Sequence, residues 1–301
     1  MSDAISIRHL RYFLTVAETE NFTRAAERLG ITQPHVSQQI TQLERALRTS
    51  LFRRVGKRVF LTEAGTTFRT GAEVVLRKLE DACHSVNDIS GLIAGRIDIG
   101  VIPALHVSWL PAVLEAMSQN FPGVTIGVHE LASSKIESEL EAGRLDLGFG
   151  LMTENSPLLR YEPLLSQPFS LIVSEADQFA DHRTIQLKEL EGIRLISLPE
   201  SFDMRRAADE ILRLRKVHPK VVFEVDNIDA VLASVARAKI PTLLPAVVLR
   251  GRELLNLRAI PLADKTRSMD FGILWPSTSS ASPSPSATAV ADALKAGVAA
   301  T

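Results

Sequence analysis

Residues 21–47, NFTRAAERLGITQPHVSQQITQLERAL, decide the fold of the N-terminal part of this chain. Asn21 suits an N-cap, and Phe22, Ala25, Ala26 and Leu29 share one helical face over Phe22 to Leu29. Gly30 stands where a helix ends in a left-handed residue. Thr32 is placed to cap the next helix, with Pro34 in its first turn. In that helix Val36, Ile40, Leu43 and Leu47 form a single apolar stripe. Pro34, His35, Gln38, Thr41, Gln42 and Arg45 fall on the other side. A merely solvated face carries Glu and Lys. A face of Gln, Thr, His and one Arg suits base-edge reading, because Gln can pair with adenine and Arg with guanine in the major groove. Two helices joined by a short turn containing glycine, the second polar on its outer side, make a helix-turn-helix.

Upstream, Leu10, Phe13, Leu14 and Ala17 predict a first helix over about Arg8 to Thr19. Downstream, LFRRVGKRVFL (51–61) places two short β-prone segments around Gly56, with Arg53, Arg54, Lys57 and Arg58 about the turn. Alone this would be a solvated charged turn. Beside a helix-turn-helix it reads as a wing whose tip contacts phosphates or the minor groove.

Residues 8–65 resemble the winged helix-turn-helix of the LysR-type transcriptional regulators. The resemblance is carried by Leu10-Arg11-Tyr12-Phe13, Phe22-Thr23-Arg24-Ala25-Ala26, Gln33-Pro34, Val36-Ser37, Leu43-Glu44, Leu51-Phe52-Arg53-Arg54 and Leu61-Thr62-Glu63-Ala64-Gly65. It implies that Gln33, Pro34, Ser37 and Gln38 enter the major groove, and that the wing arginines contact the backbone. Thr23 and Arg24 join the expected DNA-binding set. Relatives often carry Arg at the position of Gln38, so their base preference does not transfer.

Thr62 is a further N-cap, and no proline follows until Pro103. Phe68, Ala72, Val75, Leu79, Ala82, Val86, Ile89 and Ile93 alternate spacings of four and three, an unbroken heptad seam. Residues 62–93 are therefore expected to form a linker helix that dimerises through Phe68 to Ile89. The family's linker helix does the same. Cys83 lies beside the seam.

From residue 95 the pattern alternates strand and helix. Strands are expected at Arg96–Ile102, Val124–His129, Leu145–Phe149, Phe169–Val173, Leu195–Leu198, Val221–Val225, Thr242–Leu244 and Asp270–Leu274. Helices are expected over about Ser108–Asn120, Ser134–Ala142, Met204–Arg215 and Ile228–Ala238, and in the Ala-rich tail Ala287–Ala300. Such alternation implies α/β architecture with a mostly parallel sheet. The stretch resembles the family's effector domain, which has the fold of periplasmic substrate-binding proteins. Arg96 to Gly100, Gly143 to Gly148 and Leu243-Leu244-Pro245 carry that likeness, while Lys135-Ile136-Glu137 and Val221 to Val231 point to the cyanate-operon type. The resemblance implies subdomain I over 95–164 and 268–301, and subdomain II over 165–267. The chain would cross near Pro163 and near Thr266. An effector cleft would then be lined by Ile102, Pro103, Ala104, His106, Phe149, Phe202, Arg205, Asn227 and Thr242. Relatives often use Ser or Thr in the first of these loops. Ile102 and Ala104 stand there instead, so either the effector is less anionic or it relies on His106 and Arg205. STSSASPSPS (277–286) reads as a flexible loop.

The 301 residues carry 34 Lys and Arg against 35 Asp and Glu, a net charge of −1. That total hides a division. Residues 1–62 hold ten cations and five anions, and the remainder 24 cations and 30 anions. A basic module of 1–61 therefore precedes an acidic one. The single cysteine excludes an intramolecular disulfide and a two-thiol switch, and fits a reducing, cytoplasmic home. The N-terminus lacks a signal-peptide pattern, and no segment approaches the roughly 20 apolar residues of a membrane span. The seven histidines show no metal spacing, and no GxxxxGK[ST], GxGxxG or GxSxG occurs. No catalytic residue, cofactor or metal is implied. A cleft enzyme of binding-protein fold would leave 1–61 and the heptad without a role. A nucleoid-type DNA binder would leave the α/β domain without one. The sequence predicts a ligand-responsive transcriptional regulator. Its partners would be double-stranded promoter DNA, a small-molecule effector, itself as a dimer and tetramer, and RNA polymerase.

Overall fold

The computed structural model describes residues 5–55, 58–88, 95–153, 156–252, 255–277 and 283–299. The chain divides into two compact units, Met1–Gly91 and Leu92–Thr301.

The first unit contains α1 (Ile7–Thr19), α2 (Phe22–Leu29), α3 (Gln33–Leu47), β1 (Phe52–Val55), β2 (Arg58–Leu61) and α4 (Glu63–Asp88). Asn21 caps α2, its Oδ1 accepting from Thr23 N at 2.8 Å and Arg24 N at 3.1 Å. Gly30 ends that helix at φ 67°. Thr32 does not act as the expected side-chain cap of α3. Pro34 has no N–H to offer, and the His35 N–H goes to the Thr32 carbonyl at 3.1 Å. The three helices bury Leu10, Phe13, Val16, Ala25, Ala26, Val36, Ile40 and Leu43 in one core. Val16 rather than Ala17 completes the face of α1. β1 and β2 pair antiparallel as the expected hairpin, Phe52 opposite Leu61. Its turn residues Gly56 and Lys57 lie outside the described residues.

The heptad of α4 is divided in use. Ala72 is buried in this unit's own core, and the Phe68 ring meets Phe13 edge-on at 5.0 Å. Leu76, off the seam, packs there too. The expectation that Ala72 faces a partner helix is therefore corrected: it is buried in the unit's own core, while half-buried Phe68 packs in part on α1. Val75 is 51% exposed and Leu79 half-buried. Ile89, Ile93 and the side chains of Ala82 and Val86 lie outside the described residues.

The second unit opens with β3 (Gly95–Val101), α5 (Pro103–His106), α6 (Leu110–Asn120), β4 (Val124–Glu130), α7 (Ser133–Glu141), β5 (Leu147–Gly150) and β6 (Leu159–Gln167). It continues with β7 (Phe169–Ser174), β8 (Arg194–Ser197), α8 (Asp203–Arg215), β9 (Lys220–Glu224), α9 (Ile228–Ala238) and β10 (Thr242–Pro245). It closes with β11 (Leu257–Pro261), β12 (Met269–Pro276) and α10 (Pro285–Ala299). One sheet runs β4-β3-β5-β12-β6, a second β10-β7-β11, and β8 pairs β9. β3 is parallel to β4 and β5, but β12 runs antiparallel to β5 and β6. The second sheet is antiparallel throughout. The expectation of a mostly parallel sheet is therefore corrected to a mixed one. Parallel pairing needs a crossover helix, and β6 runs into β7, and β11 into β12, without one.

Pro163 does not mark the crossing. It lies within β6, an edge strand, where the pairing with β12 shifts register between Phe271 and Gly272. The chain leaves the first sheet after Gln167 and rejoins it at Met269.

Candidate nucleic-acid interface and effector cleft

The recognition face of α3 is built by exclusion. Val36, Ile40 and Leu43 are buried, so Pro34, Gln38, Thr41, Gln42 and Arg45 are turned to solvent. Gln33, His35 and Ser37 are half-buried at the margin. Local bonds already engage part of this face. The Thr41 hydroxyl donates to Ser37 O at 2.9 Å, and the Gln39 amide donates to Gln42 Oε1 at 3.0 Å. The His35 ring stands edge-on to Tyr12 at 6.1 Å. Gln33, Gln38 and Arg45 have no side-chain hydrogen bond among the described residues. Thr23 and Arg24 are exposed in the first turn of α2, which is capped by Asn21.

The wing does not gather its cations at one point. Arg53 and Arg54 alternate along β1 and take opposite faces of the hairpin. The Arg53 guanidinium lies over Phe60 at 5.3 Å, and that of Arg54 over Phe22 at 5.5 Å. Arg58 is exposed, 3.9 Å from Glu20. Arg54 thus belongs with Thr23 and Arg24 at the start of α2, and Arg53 with the outer face.

The expected effector residues are largely committed elsewhere. Ile102, Ala104, Phe149 and Thr242 are core residues, each no more than 5% exposed. Pro103 is half-buried in α5. His106 Nδ1 is 2.5 Å from Glu130 Oε2. Asn227 caps α9, accepting from Ala230 N at 2.9 Å. Arg205 is a strut: it donates to Leu198 O at 2.7 Å, to Asp209 Oδ2 at 2.6 Å and to Glu224 Oε2 at 3.2 Å. Its side chain is 12% exposed. This binds α8 to the ends of β8 and β9.

A recess of about 430 Å³ does open between the layer of the first sheet and α8. One wall is Leu151, Met152, Thr153 and Tyr161. Asp203, Arg206, Ala207 and Glu210 of α8, with Arg267 to Asp270, complete it. Its charges are mostly paired. Arg206 bonds Asp203 and Glu200 O, and Arg267 lies 3.7 Å from Glu210. The Tyr161 hydroxyl donates to Asp270 O at 2.7 Å, and burial, helped by the Asp270 charge, pushes its pKa up to about 12. None of the nine expected residues lines this recess. The crossing segment 267–270 was the sequence signal for it, since clefts form where a chain passes between layers.

Several motif residues are structural. Glu137 is buried and accepts from Thr153 N at 2.6 Å and Thr153 Oγ1 at 2.9 Å. Asp146 accepts from Asp98 N at 2.9 Å. Glu139 is held down to about 2 by hydrogen bonds from Arg144 and then Lys135, against the opposing cost of burial. No described helix is long and apolar enough to cross a membrane.

A winged helix-turn-helix whose reading face is Gln, Thr and one Arg, joined to an α/β unit containing a recess, defines a ligand-linked DNA-binding regulator. Residues 7–66 match the model of the bacterial regulatory helix-turn-helix proteins of the lysR family, and residues 90–299 that of the LysR substrate binding domain. The chain belongs to the LysR family, whose members are transcriptional regulators and not enzymes. It is 29% identical to the uncharacterized HTH-type transcriptional regulator YwbI of Bacillus subtilis over 90% of each chain. It is 27% identical to the DNA-binding transcriptional dual regulator OxyR of Escherichia coli, over 81% of this chain and 80% of that one. Full-length CbnR complexed with its target DNA shares the fold at TM-score 0.73 and 21% identity, covering 97% of this chain and all of that one.

Proposed function

We propose that the chain reads a promoter as a dimer through Gln33, Pro34, Ser37, Gln38 and Arg45 of α3, with Arg53, Arg54 and Arg58 on phosphates. The observation that carries this is the solvent-turned Gln, Thr and Arg face of α3 backed by a fully apolar stripe. Exposed Val75 and half-buried Leu79 supply part of a self-association seam, and tetramers form as dimers of dimers. RNA polymerase is the further partner. An effector in the inter-layer recess shifts the two layers of the second unit and so the spacing of the DNA-binding pairs.

The recess favours a small effector of low net charge. Both anion candidates, His106 and Arg205, are already engaged, and the cations of the recess are paired. The finer likeness to cyanate-operon regulators rests on Lys135-Ile136-Glu137, of which Ile136 and Glu137 are buried, and on Val221 to Val231. Relatives named for hydrogen peroxide share the fold, but with one cysteine, on α4, an intramolecular disulfide is not open to this chain.

Electrophoretic binding to the DNA upstream of the chain's own gene tests the groove assignment. Gln33→Ala should lower discrimination between that DNA and a scrambled duplex by about tenfold or more, ~1–3 kcal/mol. Arg53→Ala should weaken both duplexes alike. Unchanged discrimination in Gln33→Ala removes α3 from the groove.

A further inference from the structure

Glu44 is in the wrong place for a helix and for a DNA reader. It lies in the last turn of α3, where the helix dipole disfavours an anion. It is also an acid on the element that approaches phosphates. Yet its carboxylate is turned to the wing. Glu44 Oε1 accepts from Leu51 N at 2.7 Å and from Phe52 N at 3.2 Å. Two hydrogen bonds to one ionised oxygen are the strong kind.

Leu51 and its neighbour Ser50 are held from behind by Thr62, the residue that precedes α4. The Thr62 hydroxyl donates to Ser50 O at 2.7 Å, and Thr62 N donates to Leu51 O at 2.9 Å. Thr62 Oγ1 in turn accepts from Gly65 N at 3.0 Å. The second wing strand is tied separately, Val59 N donating to Glu20 O at 3.0 Å. Residues 50–52 are therefore a joint gripped by the recognition helix on one side and the linker helix on the other. Arg53 is the next residue along.

We propose that Glu44 is a positioning residue for DNA binding: it fixes the root of the wing to the recognition helix, so that base reading and phosphate contact are set as one geometry. The inference rests on the DNA-binding reading above. Glu44 touches no DNA itself and acts through Arg53 and its neighbours.

The test uses the full chain and the duplex from upstream of its own gene, with binding followed by fluorescence anisotropy between about 50 and 200 mM KCl. The variants are Glu44→Asp, Glu44→Ala, Glu44→Gln, Arg53→Ala and Glu44→Ala with Arg53→Ala. Each phosphate contact contributes roughly 0.9 to the slope of log K against log salt. Glu44→Ala should weaken binding about tenfold and lower that slope by about one to two contacts, with Arg53→Ala giving a slope loss of about one. The double variant should be no weaker than Glu44→Ala by more than about threefold. Glu44→Gln, which keeps the acceptor oxygen, should restore most of the slope. A merely destabilising role would lower the melting temperature and leave the slope intact. Should Glu44→Ala fail to fold, Glu44→Asp withdraws the carboxylate by one methylene and should give the same slope loss in part. Wild-type slope in Glu44→Asp and Glu44→Ala, or fully multiplicative losses in the double variant, overturns the joint alone. A wild-type chain that shows no salt-dependent binding overturns both the joint and the DNA-binding reading.

Discussion

Two glycines six residues apart on α4 should respond oppositely to the same substitution. A Cβ on Gly65 would stand 2.1 Å from the Leu51 carbonyl oxygen, where ordinary contact begins near 3.4 Å. That oxygen is backbone, and it already accepts from Thr62 N, so it cannot swing aside without loosening the root of the wing. Overpacking of this kind costs roughly 1–3 kcal/mol, and losing the Thr62–Leu51 bond about 1 more. Replacing a helical glycine by alanine returns about 1 kcal/mol. Gly65→Ala should therefore cost ~1–3 kcal/mol net, a fall of roughly 5–20 °C for a unit of this size. A Cβ on Gly71 meets nothing within 4 Å. Gly71→Ala should gain ~0.5–1 kcal/mol and raise the transition by a few degrees. Scanning calorimetry of the full chain reads both, with the transition of the second unit as an internal reference. If Gly65→Ala melts within about 2 °C of the unsubstituted chain, the close packing of α4 on Leu51 is wrong.

Other outcomes follow from the same geometry. Val75→Asp should shift self-association by at least about tenfold in sedimentation equilibrium, because Val75 is an exposed apolar residue of the seam; an unchanged mass places the dimer contact elsewhere. Arg205→Ala should lower the melting of the second unit by about 1–3 kcal/mol, leaving Leu198 O without its donor. The loss should be the same with or without a small carboxylate, and a lost ligand-induced shift at unchanged stability would return Arg205 to the binding set. Glu139 titrates near 2 in the folded chain, below its ordinary 4.5. The unfolded chain therefore takes up the proton first, so this stabilisation is full above about pH 4.5 and is lost as pH falls toward 2. Glu139→Gln should flatten that part of the acid-unfolding curve; an identical acid limb would mean the Arg144 and Lys135 contacts do not persist in solution.

The DNA-binding unit was legible because its signals are local. The Asn21 cap, Gly30 and the spacing of Val36, Ile40 and Leu43 act within one or two turns, and α2 matched to the residue. The effector unit was legible in its alternation and in Ile228–Ala238, but less so in its sheets. β6 was hidden by Pro163, because the bulge that tolerates a proline is a property of the pair, not of the strand. The helix expected from Ser108 begins at Leu110 instead, and the Ser108 hydroxyl is spent on Ala104 O and on Val247 O, 139 residues away. The expected effector residues raise the same difficulty. Arg205, His106 and Asn227 are polar residues at loop ends, as ligand residues are, but Asp209, Glu130 and the Ala230 N–H are their partners. The division of the α4 seam was equally invisible, since a heptad does not say whether α1 or a second copy covers Ala72.

The central claim is that α3 reads bases in a two-fold assembly. Hydroxyl-radical and methylation footprinting of the full chain on its own upstream DNA tests it most directly. Two protected major-groove segments with centres one helical turn apart, about 10 base pairs, or a whole multiple of it, are predicted. Both should be lost together in Gln33→Ala. Uniform protection without a repeat, or a footprint unchanged by Gln33→Ala, would contradict the account.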